Sequence, residues 1–131
     1  MHPRLLPKLT ALLLLAAPLL HAAETKPAEQ VMQALADAEE QLDEGLKRFG
    51  YLSGLALGCV DKSQRTQFER EVMDVNAGIV RALGTDRAFL YAASFGYGSH
   101  MQIKLDECKT VLTRYDERIA KFRKGQQEGL K

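Results

Sequence analysis

The sequence predicts an all-α fold: a small antiparallel bundle of three long helices and one short helix, held together by one disulfide. Three observations support this prediction. Apolar residues recur in steps of three and four along most of the chain, which is the spacing of one helix face. Only Pro27 follows the N-terminal leader, so no later proline interrupts a helix. Two cysteines, Cys59 and Cys108, supply the sulfurs for one bridge.

The composition is that of one ordinary domain with nearly balanced charge. Of the 131 residues, 18 are Lys or Arg and 17 are Asp or Glu. This balance gives no electrostatic reason to expect binding to a phosphate backbone, so we expect no nucleic-acid partner. Hydrophobic residues make up 46% of the chain, which argues against a wholly disordered protein.

Residues 1–22 have the layout of a secretory signal peptide. Two basic residues precede an apolar run over residues 10–20, and alanines follow it, so we expect cleavage after Ala22 or Ala23. The run is too short for a stable membrane anchor, although an uncleaved N-terminal anchor is the alternative. The sequence therefore predicts a single helical domain over residues 23–131, located in the periplasm or secreted.

The two cysteines are predicted to form a structural disulfide. An exported protein enters an oxidising compartment, where two cysteines usually pair. A bridge between Cys59 and Cys108 closes a loop of about 50 residues, for which the chain-entropy estimate is roughly 4 kcal/mol. A redox or metal-binding thiol pair is the alternative, but the sequence has no C-x-x-C motif and no histidine beside either cysteine.

The first helix is predicted over residues 28–58. Its apolar residues alternate steps of four and three, a period like that of a coiled coil. They are Val31, Leu35, Ala38, Leu42, Gly45, Phe49, Leu52, Ala56 and Cys59. Charged residues fall mainly off this stripe, so the helix is amphipathic.

The second helix is predicted to end at Gly84, because glycine is a common stop after the last helical residue. Its apolar stripe consists of Phe68, Val72, Val75, Ile79 and Leu83.

Residues 87–97 have an ambiguous period. The aromatic residues are Phe89, Tyr91, Phe95 and Tyr97, and their spacing of two or four is compatible with a strand. Apolar residues also fill the gaps, and a single strand would have no partner in a helical chain. We therefore predict a short buried helix, followed by a bend at Gly96 and Gly98.

The fourth helix is predicted over residues 99–123, followed by a polar tail that frays from about residue 124. Its apolar stripe consists of Met101, Leu105, Cys108, Leu112, Tyr115, Ile119 and Phe122.

Three glycines four residues apart, Gly50, Gly54 and Gly58, line one side of the first helix. Glycine inside a helix costs nearly 1 kcal/mol relative to alanine, so three together need an explanation. One explanation is close packing against another helix, such as the aromatic segment 87–97. The other is a shallow groove for a partner or a flat ligand.

Tyr91, Tyr97 and His100 are the candidate ligand-lining residues, since all three lie near the predicted bend. The mature chain has a single histidine and no C-x-x-C-H motif, so we predict neither a metal site nor a cofactor. We also identify no catalytic residues, because the sequence lacks the common hydrolase, zinc-protease and phosphate-loop motifs.

The leader, the small size and the two cysteines together resemble small periplasmic helical proteins with one disulfide, a group that includes immunity proteins of secreted toxins. This resemblance assigns no residues. Because nothing in the sequence supplies catalytic chemistry, we expect a non-enzymatic module that binds a protein partner, such as an inhibitor, an immunity protein, a chaperone or a secretion accessory. The alternative is a carrier of haem or an apolar ligand that uses the bundle interior.

We predict that the exported protein begins at Ala23 or Glu24. The charged, apolar and alanine regions of the leader direct export and cleavage at this position. Intact-mass measurement of protein taken from the periplasm tests the prediction, and a mass that still includes residues 1–22 would contradict it.

Overall fold

Four helices form the part of the chain that the structure describes. The structure is a computed structural model, and it describes residues 28–129. The helices are α1 (Ala28–Leu57), α2 (Arg65–Leu83), α3 (Thr85–Ser99) and α4 (Cys108–Glu128). No strand occurs within residues 28–129, and the predicted all-α bundle is confirmed. The predicted signal peptide lies outside the described residues.

Successive helices run in opposite directions, while the neighbours α1 and α3 run in the same direction. Near the start of their contact, Arg87 of α3 donates a hydrogen bond to Asp43 of α1 at 3.0 Å. Further along, Ser99 of α3 lies beside Gly54 of α1. α4 runs antiparallel to α1, because its first residue is bonded to Cys59 beyond the end of α1.

The core is built around one aromatic ring from each helix. These rings are Phe49 of α1, Phe68 of α2, Tyr91 of α3 and Tyr115 of α4. The centroids of Phe49 and Tyr91 are 5.3 Å apart, and those of Phe68 and Tyr115 are 4.8 Å apart. Tyr91 and Tyr115 are almost fully buried, as is Ile119. Tilted ring pairs at these distances contribute stability beyond the area that they bury.

Gly84 separates α2 from α3, as the sequence predicts for the end of the second helix. Its φ of 90° lies in the left-handed region, which glycine adopts without the steric penalty that a side chain brings. Its N–H donates to the carbonyl oxygen of Val80 at 3.0 Å and closes the last turn of α2.

The ambiguous aromatic segment is helical, and the helix is longer than predicted. α3 continues through Gly96 and Gly98 to Ser99, so the expected bend at these glycines is wrong. Gly98 is buried because the backbone of α1 passes against it at Tyr51. The glycine therefore serves close helix packing at this position.

The fourth helix begins at Cys108, and the predicted start at residue 99 is wrong. Residues 100–107 form a connection in which Leu105 is 91% exposed. The chain must reverse direction between α3 and α4, and it does so over these residues. The apolar spacing of Met101 and Leu105 continues the helical pattern, although neither side chain is buried.

α4 extends to Glu128, so the tail expected to fray from about residue 124 is instead helical. Lys124, Gln126, Gln127 and Glu128 are residue types with good helix propensity, and Gly125 alone does not end the helix. The N–H of Gly129 donates to the carbonyl oxygen of Gly125 and closes the final turn.

The predicted disulfide is confirmed. Cys59 and Cys108 are bonded across 49 positions of sequence, with their Cα atoms 5.2 Å apart. The bond ties the turn after α1 to the first residue of α4. It therefore sets the position of α4 at the end of the exposed connection 100–107.

We predict that Cys108→Ser lowers the free energy of unfolding by about 4 kcal/mol, because the unfolded chain regains the entropy of a loop of about 50 residues. Chemical denaturation monitored by circular dichroism measures the change. Reduction of the unmodified protein is the matched control and should produce a similar loss. A variant with the same denaturation midpoint as the oxidised protein would contradict the prediction.

Candidate functional site

Gly50 and Gly54 lie where α1 and α3 approach each other most closely. A Cβ atom on Gly50 would meet the backbone of Tyr91, and one on Gly54 would meet the backbone at Phe95 and lie 2.5 Å from the nitrogen of Ser99. Backbone atoms cannot move aside as a flexible side chain can. The contacts at these two glycines are therefore those of helix packing, and α3 already fills the groove.

Gly58 does not belong to this edge. It follows the last residue of α1 and is exposed. A Cβ there would meet only the carbonyl oxygen of Leu55, at 3.3 Å, in its own turn. The regular spacing of the three glycines does not reveal that the helix ends before the third one.

Tyr91 belongs to the core and donates a hydrogen bond to Ser53. The two oxygens are 3.1 Å apart, and both residues are 0% exposed. The Ser53 hydroxyl in turn donates to the carbonyl oxygen of Phe49 at 2.8 Å. Burial raises the pKa of Tyr91 to about 12, so the phenol stays protonated and keeps its role as donor.

The three candidate ligand-lining residues do not share a cavity. Tyr91 faces the core, whereas Tyr97 is 65% exposed and its ring stacks on Tyr51 at 5.9 Å. His100 is exposed at the end of α3, where its Nδ1 lies 2.7 Å from the carbonyl oxygen of Gly96. Because α3 does not bend at its glycines, successive aromatic residues point to different sides of a regular helix.

Glu71 joins α2 to α4 through a polar network that the sequence analysis does not identify. Arg123 donates two hydrogen bonds to the Glu71 carboxylate, at 2.8 and 2.9 Å, and Tyr115 donates a third at 2.9 Å. Arg123 also donates to Asp116 at 3.1 Å. Glu71 and Arg123 are 52 positions apart, so no local pattern points to the pair.

The network keeps Glu71 ionised at neutral pH. Burial alone would raise the pKa of this carboxyl group, but the hydrogen bonds from Arg123 and Tyr115 outweigh burial and hold the pKa below its ordinary value of 4.5. Desolvation and the neighbouring Glu71 charge raise the pKa of Tyr115. Glu71 therefore acts as a hydrogen-bond acceptor, since a general acid would need a raised pKa.

A cleft of about 310 Å³ lies beside this network, between α2, α4 and the turn after α1. Its walls combine apolar and polar side chains and include one disulfide cysteine. The lining residues are Cys59, Val60, Asp61, Gln64, Gln67, Phe68, Glu71, Leu112, Tyr115, Asp116 and Arg123. The volume is at the lower end of the range for small-molecule sites.

The first half of α1 makes a second candidate site, which we call the arm and define as residues 28–42. Every residue of the arm is exposed. Its large apolar side chains are also exposed: Val31 by 45%, Met32 by 68%, Leu35 by 58% and Leu42 by 37%. The predicted apolar stripe of α1 therefore contributes to the core only in its second half, where the first buried residue is Leu46.

The arm is strongly acidic. Residues 28–42 contain four acidic residues and no basic one, and two more acidic residues, Asp43 and Glu44, follow before the first base at Lys47. Asp43 pairs with Arg87 at 3.0 Å, and Glu44 pairs with Lys47 at 2.7 Å. The other acidic residues lie nearer the N-terminus of α1.

The described residues offer neither a metal cluster nor a membrane-spanning helix. Residues 28–129 contain no cluster of three or more His, Cys, Asp or Glu side chains arranged to hold a metal ion. Over the same residues, no helix combines the length and the apolar character that are needed to cross a membrane.

Comparison with protein-family models, with curated proteins and with solved structures finds no match to this chain. The residues and contacts described above are therefore the basis for assigning a function.

We predict that Gly54→Ala destabilises the protein by about 1–3 kcal/mol, because the added methyl group forces the α1 and α3 backbones apart. Gly96→Ala is the matched control: it also replaces a helical glycine, but a Cβ there meets nothing within 4 Å. It should stabilise the protein by up to about 1 kcal/mol through helix propensity alone. Thermal and denaturant melts measure both changes. Equal effects of the two substitutions would show that the helices do not touch at Gly54.

We predict that Glu71→Gln weakens the loss of stability at acid pH. The pKa of Glu71 in the folded state lies below its ordinary value of 4.5. The contribution of Glu71 to the free energy of unfolding is therefore complete above the ordinary pKa, and it is lost as the pH falls through the folded-state pKa. Denaturation between about pH 7 and pH 2 should show a shallower acid decline in the variant than in the unmodified protein. Glu117→Gln, on the exposed face of α4, is the matched substitution outside the network. A Glu71→Gln curve parallel to that of the unmodified protein would contradict the prediction.

Proposed function

We propose that this chain is an exported protein-binding module and that the arm is its contact surface. The observation that supports this function is the exposure of Val31, Met32, Leu35 and Leu42 on one helix. Isolated exposed apolar residues are ordinary, but a group along one helix is typical of an interaction site. No helix of the described chain covers this group.

The rest of the fold contributes little to the stability of the arm. Helices of fewer than about 12 residues are marginal in water unless an apolar face is packed. The second half of α1 is packed against α3 and α4 and provides a start for the helix. Towards the N-terminus from residue 42, the backbone hydrogen bonds are supplemented only by exposed polar contacts, such as the hydrogen bond that Gln33 donates to Asp37 at 2.8 Å and the 3.8 Å contact between Glu39 and Arg87. A partner that covers the apolar stripe would supply the missing packing.

Export is supported by two independent features. The leader predicted over residues 1–22 directs secretion, and the Cys59–Cys108 bridge is of a kind that persists in oxidising compartments. An inhibitor, an immunity protein, a chaperone and a secretion accessory would each act through a protein-binding surface of this kind. The proposal assigns no catalytic role and includes neither nucleic acid nor a membrane anchor.

A site-specific photo-crosslinking residue tests the contact surface. We expect a crosslinker at Leu35, in the full chain expressed in its producing cell, to capture one protein reproducibly. A crosslinker at Met73 is the matched control, because Met73 is an exposed apolar residue of α2 outside the arm, with an exposed fraction of 70%. It should not capture that protein.

The captured protein must then be identified by mass spectrometry and purified. Its binding to the isolated chain should be lost in Leu35→Asp and retained in Met73→Asp. If the two positions capture the same proteins in the same yield, or if neither variant alters binding, the arm is not the contact surface.

The cleft favours a second candidate function, a carrier of a small ligand. The four core rings occupy the bundle interior, so this function would use the cleft of about 310 Å³. Native mass spectrometry of protein purified from its own compartment should then show a non-covalent adduct. Leu112→Trp, which fills the cleft, should remove the adduct, whereas Met73→Trp should not. Absence of an adduct from the unmodified protein would contradict this function.

A further inference from the structure

The apolar stripe of the arm continues the face of α1 that packs on α4. Val31, Leu35, Ala38, Leu42, Gly45 and Phe49 follow one another in steps of four and three. Phe49 stacks on Tyr115 of α4 with ring centroids 6.2 Å apart, and Gly45 accepts a hydrogen bond from Arg118. The arm therefore presents to solvent the same kind of surface that already packs against a helix further along α1.

The spacing of the apolar residues along the stripe indicates which secondary structure would pack on it. Apolar residues in alternating steps of four and three form a seam that another helix with the same spacing matches. The arm has 15 residues in this pattern, a length of about 22 Å at the usual helical rise of about 1.5 Å per residue. An amphipathic helix of about two heptads would cover it.

The charged residues around the stripe indicate which charge a partner helix should carry. Glu39 lies beside the stripe and is 71% exposed, with only a 3.8 Å contact to Arg87. Glu29, Asp37 and Glu40 form no ion pair with any residue in the described part of the chain. Residues next to a helical seam determine partner choice by charge. A basic helix satisfies these carboxylates, and an acidic one is repelled.

A second copy of this chain fits the arm less well. Two arms together would bring two acidic surfaces face to face, and each supplies a seam shorter than the three to four heptads typical of a coiled coil. α4 is basic, with six Lys or Arg residues against three acidic ones. However, Ile119 is buried and Phe122 packs on its own core, so α4 has no exposed large apolar residue to offer.

We propose that the arm binds a basic amphipathic helix of a partner protein. Apolar side chains of that helix would pack between Val31, Leu35 and Leu42, and its Lys or Arg side chains would reach the carboxylates beside them. This inference rests on the proposed function, since it names the chemical class of the protein partner. The partner's positive charge would accelerate encounter, and the apolar seam would supply most of the affinity.

Two synthetic peptides of about two heptads test the inference. Both carry leucine at the seam positions; one has lysine at the remaining positions and the other has glutamate. We expect the lysine peptide to bind the full chain in isothermal titration calorimetry and the glutamate peptide to bind at least about tenfold more weakly. Binding of the lysine peptide should weaken as ionic strength rises from about 0.01 M to about 1 M, because screening shortens from about 30 Å to about 3 Å.

Two pairs of variants distinguish binding through the apolar seam from nonspecific attraction of a basic peptide to acidic residues. Leu35→Asp should weaken binding of the lysine peptide at least about tenfold although it adds a negative charge, whereas Met73→Asp should not. Asp37→Asn combined with Glu40→Gln should weaken binding several-fold. Asp106→Asn combined with Glu117→Gln removes the same charge from exposed positions elsewhere and should have no effect.

Three results would overturn the inference. The first is that Leu35→Asp leaves binding of the lysine peptide unchanged, which would show that the peptide binds through charge and not through the apolar seam. The second is a dimer of the chain, seen by sedimentation, that Leu35→Asp dissociates, which would make a second copy the occupant. The third is a retained N-terminal segment, residues 1–27, whose removal increases peptide binding, which would show that this segment covers the arm.

The crosslinking experiment distinguishes this inference from the proposed function. If Leu35 captures a protein whose bound segment is acidic or neutral, the basic-helix inference fails and the protein-binding function stands. If neither the lysine peptide binds nor the crosslinker captures a protein, both fail.

Discussion

The close approach of α1 and α3 is the constraint on which the rest of the structure depends. At Gly50, Gly54 and Gly98, each helix passes where a side chain of the other would otherwise stand. The backbones meet directly, so Tyr91 of α3 is drawn into the core, where its hydroxyl reaches Ser53. Because the two helices run in the same direction, α2 must return antiparallel to both. α4 also runs antiparallel to α1, because Cys108 at its start is bonded to Cys59 and Arg118 further along reaches Gly45.

The second pair of helices is joined by long side chains. Tyr115 and Arg123 of α4 both reach the Glu71 carboxylate of α2, and this arrangement leaves a cleft beside the network. The Cys59–Cys108 bridge closes the same end of the molecule. A covalent bond, a charge-assisted network and a ring contact thus hold α4, whose preceding connection contributes no buried large side chain.

The arm follows from the same geometry. The contact between α1 and α3 begins where Glu39 and Asp43 reach Arg87, so the residues of α1 before them extend past the start of α3. Continuing the helix there keeps an apolar stripe aligned with the core face, and no other helix of the described chain packs on it. Under the proposed function, the acidic residues around the stripe would select a basic helix as its partner. Stability and recognition would then depend on separate halves of one helix.

The sequence by itself determined the four helices and the stop at Gly84, because apolar spacing and glycine conformation act locally. It also determined the pairing of the cysteines, because two cysteines leave only one possible intramolecular bridge. It also placed Gly50 and Gly54 on one side of α1. Only the tertiary structure decided that Gly58 lies outside the contact, that Leu105 is exposed in a connection, and that no helix within residues 28–129 covers half of the first stripe. A periodic apolar pattern identifies the face of a helix, but burial depends on where the neighbouring helices begin, end and reverse.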